Sequence, residues 1–76
     1  MNKVRRDKLN RIYDALSALQ CELEEISDEE QECFDNIPEN LYGSERYEQA
    51  EAAVDALAAA LDSFDELLEY IEEAQE

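Results

Sequence analysis

Carboxylates are the only chemically capable side chains this sequence offers in number. Glu22 with Glu25, Glu48 with Glu51 and Glu69 with Glu72 stand three residues apart, a spacing that puts two carboxylates on one face of a helix, where they can share a magnesium ion. Against that reading, 22 acids in 76 residues produce such pairs by composition alone, and no base stands beside them to hold a phosphate. Zinc and loop-bound calcium have no support, because there is no His, and the Asp-rich, Gly-containing loop that calcium needs is missing. Cys21 and Cys33 lack a His that would activate either as a nucleophile. On one helix they would lie about 18 Å apart, too far for a bridge, so reduced thiols are expected. The residues describe a chain that is not an enzyme, with no catalytic, cofactor-binding or metal-binding set.

Size and charge narrow the classes further. A chain of 76 residues makes a single domain and buries only a thin core, so stability must come from regular helix packing or from association. Its net charge of −16, from 22 acids against 6 bases, argues against direct nucleic-acid binding and against anionic membranes. No apolar run is long enough for a membrane span, and the first residues are basic and polar rather than a secretory leader. A cytoplasmic setting is expected.

The elements follow from apolar spacing. Leu9, Ile12, Leu16, Leu19, Leu23 and Ile26 recur at alternating steps of three and four, and the series continues through Glu30 to Cys33. Tyr47, Ala50, Val54, Leu57, Leu61, Phe64, Leu68 and Ile71 repeat it. These patterns predict helices over about residues 3–33 and 45–75, joined by a loop at 34–44 that contains the only Pro and the only Gly. Ser27-Asp28-Glu29-Glu30 fits a capping box and marks a possible break, although the heptad runs through it. Phe34, Ile37, Leu41 and Tyr42 suit a loop that folds back as a plug, and Ser44 suits a helix cap.

The fold class expected is therefore all-α, an antiparallel two-helix hairpin resembling a short coiled coil, able to dimerise into a four-helix bundle. Folded so, Leu9 meets Ile71, Ile12 meets Leu68, Leu16 meets Phe64, Leu19 meets Leu61, Leu23 meets Leu57 and Ile26 meets Val54. Charge favours this topology: Lys3, Arg5, Arg6, Lys8 and Arg11 at the start of the first helix oppose its dipole, as do Glu69, Glu72, Glu73 and Glu76 at the end of the second. An antiparallel pairing sets those ends side by side.

The second helix has surface left over. With its seam at heptad positions a and d and Tyr47 at a, the b column reads Glu48, Asp55, Asp62, Glu69 and Glu76, and the e column adds Glu51, Asp65 and Glu72. This acidic side is the candidate contact for a protein with a basic surface. On the opposite flank Ala53, Ala60, Leu67 and Ala74 fill the g column, with Ala56 and Ser63 beside it. Ala53, Ala56, Ala60, Leu67 and Ala74 are the candidate small, apolar interface, toward a homodimer mate or a target. Tyr13 and Tyr70 fall outside the expected seam, where a tyrosine can anchor a contact.

The segment Asp28-Glu29-Glu30-Gln31-Glu32-Cys33-Phe34-Asp35-Asn36-Ile37-Pro38-Glu39-Asn40-Leu41, followed by Ser44-Glu45-Arg46-Tyr47-Glu48, resembles small acidic helical proteins of unknown function from bacterial phages and prophages. The likeness is close over the loop and its flanks and extends to the helices only in character. It implies a bacterial host cytoplasm and no catalytic residues. Three functions follow as expectations: a non-catalytic acidic module that binds a host or phage protein; a DNA or RNA mimic that inhibits a host nucleic-acid-binding defence protein, of anti-CRISPR or anti-restriction type; and, most remotely, a magnesium-dependent helical nucleotide pyrophosphatase.

Overall fold

The computed structural model describes residues 1–75, and Glu76 lies outside the described residues. Two long helices, α1 (Lys3–Asp35) and α2 (Glu45–Gln75), lie antiparallel in a rod measuring 59 × 15 × 13 Å. The antiparallel sense is fixed by bonds between residues far apart in sequence, from Tyr13 near the start of α1 to Glu72 near the end of α2, and from Gln20 to Asp65. The fold is the all-α helical hairpin expected.

Both helices start on a side-chain cap. The Asn2 Oδ1 accepts the Arg5 N–H at 2.9 Å, and the Ser44 Oγ accepts the Tyr47 N–H at 3.2 Å, each satisfying a donor that has no partner inside the helix. Long stretches of Ala, Leu and Glu then carry the helices without a break. The capping-box sequence at Ser27 does not interrupt α1, which passes through it and ends at Asp35.

Pro38 cannot continue the helix, and the chain turns through a short 3-10 segment, Glu39–Leu41, with Pro38 at its start. Gly43 then takes φ +83°, a left-handed conformation open to glycine at little cost. The loop does fold inward. Ile37 is buried, while the rings of Phe34 and Tyr42 both stack on Tyr47, with centroids 5.0 and 4.9 Å away. That aromatic cluster closes one end of the hairpin.

The seam of α2 is the one its spacing predicts: Tyr47, Ala50, Val54, Leu57, Leu61, Phe64 and Ile71 are half-buried and Leu68 is buried. The seam of α1 differs. Leu9, Leu16 and Leu23 face inward, but the positions alternating with them are Tyr13, Gln20, Ser27 and Phe34, all half-buried. Ile12, Leu19 and Ile26 remain 48%, 51% and 51% exposed, and Cys33 is exposed as well. The pairings of Ile12 with Leu68, Leu19 with Leu61 and Ile26 with Val54 are thus replaced. Relative to the pattern's expectation, α1 is rotated by roughly 50°, half the 100° step between successive residues.

The loop end supplies a physical reason for this rotation. Continued by alternating threes and fours, the seam Leu9, Tyr13, Leu16, Gln20, Leu23, Ser27, Glu30 leads straight to Phe34 and Ile37, the aromatic and aliphatic residues that close the hairpin. Packing Phe34 against Tyr47 and burying Ile37 at the turn orients the whole helix. Bonds from Tyr13 and Gln20 to α2 hold the same rotation along the rest of its length.

A two-faced hairpin and its candidate contact surfaces

The observed seam places Leu9, Leu16, Leu23 and Glu30 of α1 at d, with Ile37 just beyond its end continuing the series, and Tyr13, Gln20, Ser27 and Phe34 at a. In an antiparallel pair the e columns of the two helices flank one side of the seam and the g columns flank the other. The whole surface then sorts into two broad faces of opposite character.

The e side is polar. The phenol of Tyr13 donates to the Glu72 Oε1 at 2.9 Å, and the Gln20 Nε2 donates to the Asp65 Oδ1 at 2.7 Å. With Ser17, Leu68 and Glu69 these residues line a shallow groove between the helices. Tyr13, expected outside the seam, belongs to it. Accepting that hydrogen bond makes Glu72 a poor neighbour for a phenolate; with partial burial and the charges of Glu72 and Asp14, it holds the phenol above its ordinary range.

The candidate acidic contact residues lie on this face. Glu48, Glu51, Asp55, Asp62, Asp65, Glu69 and Glu72 are all exposed, and Glu48, Glu51 and Asp55 with Ala52 edge a second shallow groove near the start of α2. The remaining member of the b column, Glu76, lies outside the described residues. Sequence reasoning missed half of the surface, because α1 contributes its own b column here: Asp7, Asp14, Cys21, Asp28 and Asp35, all exposed. Its period of seven was legible, but its heptad letter depends on the observed rotation. Among the described residues no group of three or more His, Cys, Asp or Glu is arranged to hold a metal ion, and no helix is long and apolar enough to cross a membrane.

The g side is apolar along its middle, with Arg5, Lys8, Glu22, Glu29 and Arg46 around it. Ile12, Leu19 and Ile26 of α1 share it with the small-residue flank of α2, where Ala53 and Ala60 are half-buried and Ala56, Leu67 and Ala74 are exposed. Tyr70 stands on this side as well, 68% exposed. The flank expected to form an apolar interface is therefore one half of a wider face, and the larger aliphatic side chains come from α1. No protein-family model, curated protein or solved structure matches the chain.

Proposed function

We propose that the chain is a non-catalytic protein-interaction module whose acidic face binds a protein with a basic surface. The observation that carries this reading is the uneven placement of charge: carboxylates of both helices fill the b columns, joined by Glu51, Asp65 and Glu72 of α2, while the middle of the opposite side carries Ile12, Leu19, Ile26, Ala53, Ala60 and Leu67. A dense single-sign face steers a basic partner toward it and fixes its orientation. The likeness of the loop region to small acidic phage proteins supports a host or phage protein as that partner.

A second reading, mimicry of DNA or RNA toward a host defence protein, draws on spacing. Along α2 the carboxylates at Glu48, Glu51, Asp55, Asp62, Asp65, Glu69 and Glu72 advance in steps of three and four residues with one gap, about 5 Å of rise for each step. A DNA strand advances about 3.4 Å per phosphate, so the helix presents a thinner version of the same charge line to a groove lined with Lys and Arg.

The test is capture from bacterial lysate at low and high salt, using the native chain and the variant E48Q/D55N/D62N/E69Q. Basic proteins held at low salt, released at high salt and lost with the variant are the expected result. Release by added DNA or RNA selects the mimicry reading. Equal capture by both chains, indifferent to salt, would overturn the acidic-face proposal.

A further inference from the structure

We infer that the apolar face is covered by a second copy of this chain, reversed end to end, so that two hairpins form a two-fold symmetric four-helix bundle with α1 lying antiparallel on α1 of the second copy. The inference shares with the function proposed above the premise of an interaction protein, but it uses the opposite face.

The hairpin alone is short of core. Among the described residues only Ile37 and Leu68 are buried and no side chain is fully enclosed, while Ile12, Leu19, Ile26 and Leu67 remain 43–51% exposed on a single face. The rod is 59 Å long, and the exposed stripe from Ile12 to Ile26 runs about 21 Å along it. Small residues at Ala53, Ala56 and Ala60 permit close approach along α2.

Self-complementarity selects the occupant. Ile12, Leu19 and Ile26 are spaced by one heptad and read the same in both directions. Across a two-fold axis near Leu19, each Ile12 therefore meets the second copy's Ile26, and the two Leu19 side chains meet each other. Charge points to the same arrangement. Beyond Ile12 the exposed stripe leads to Arg5 and Lys8, and beyond Ile26 it leads to Glu29 and Glu32. Reversal puts each basic pair over an acidic pair, at both ends at once. A parallel stack of the same helices sets base on base and acid on acid. Reversal also eases a conflict within α1, whose bases sit at the positive end of its dipole and whose acids sit at the negative end.

Sedimentation equilibrium of the full chain is expected to give twice the 8.8 kDa protomer mass. Leu19→Glu should weaken association by more than about tenfold while helicity is kept, because the hairpin leaves this side chain half exposed. R5E/K8E and E29K/E32K should each weaken self-association, and mixing the two should restore a dimer, since only the mixed pair sets opposite charges together at both ends. Leu19→Cys in a C21S/C33S background should form a disulfide between copies on oxidation.

A monomer at hundreds of micromolar overturns the inference, as does a dimer indifferent to Leu19→Glu. If Leu19→Glu unfolds the chain, the charge-swap pair, altered only at exposed positions, decides; failure to recover on mixing rejects the reversed arrangement. A monomer that still captures basic proteins removes the bundle and leaves the acidic-face reading standing. A dimer that captures nothing does the reverse.

Discussion

Leu67 and Leu68 are adjacent, identical in chemistry and on the same helix, so truncating each in turn isolates what the fold does to a leucine. Leu68 is 8% exposed, packed at the seam beside the groove that Tyr13, Ser17 and Gln20 line, whereas Leu67 is 43% exposed on the apolar face. Buried Leu→Ala changes cost about 2–5 kcal/mol, and two helices with no third layer can close partly over the gap, which places Leu68→Ala at about 2–3 kcal/mol. Leu67→Ala removes surface that the single hairpin already leaves half in water, and should cost about 1 kcal/mol or less. Against a total of roughly 4–11 kcal/mol for a chain of this length, the first change is severe and the second minor.

Urea unfolding followed by helical circular dichroism should therefore show the midpoint falling by about 2–3 M for Leu68→Ala and by under about 1 M for Leu67→Ala, for a slope near 1 kcal/mol per M. The comparison belongs at low protein concentration. If the apolar face is covered by a second copy, the Leu67→Ala cost grows as concentration rises and the Leu68→Ala cost is present throughout. Equal shifts at high dilution would refute the register of the seam.

Two further expectations test the cross-helix contacts and the turn. Tyr13→Phe removes the bond to Glu72; because the folded-state phenol titrates above its ordinary value of 10.0, that bond's stabilisation is complete below pH 10.0 and is lost as pH climbs through the raised value. Unfolding midpoints of the native chain and the variant should differ by a constant amount up to that point and converge above it, with absorbance at alkaline pH showing one tyrosine that titrates above 10.0 missing from the variant. Gly43→Ala should cost about 1 kcal/mol in thermal or urea unfolding, purely through backbone strain at φ +83°, since an added Cβ meets nothing within 4 Å; Gly43→Asn should cost less.

Local chemistry left clear marks in the sequence. Alternating steps of three and four marked both helices, Pro38 and Gly43 marked the turn, Ser44 marked the second helix start, and Tyr47 through Ile71 marked the seam of α2. The acidic and alanine columns of α2 were readable for the same reason, because a helix with one well-defined stripe has only one way to face its partner. Spacing alone places Cys33 and the trio Ile12, Leu19 and Ile26 on the inside, where the structure has them outside, and places Tyr13 outside, where the structure has it in the seam.

Periodicity reports that apolar residues share a face of a helix; it does not say which edge of a wide face meets which neighbour. In α1 the leucines at positions 9, 16 and 23 are common to two overlapping stripes, one completed by Ile12, Leu19 and Ile26 and the other by Tyr13, Gln20, Ser27 and Phe34. Hydrophobicity alone favours the first. The choice was made by contacts between residues distant in the chain: Phe34 stacked on Tyr47, Ile37 buried at the turn, and two side-chain bonds to carboxylates on α2. Amino-acid order thus determined two helices, the cap of the second and their direction. The rotation of α1, and with it the division of the surface into an acidic face and an aliphatic one, was decided only in three dimensions, because it depends on which partners the closed hairpin brings within reach.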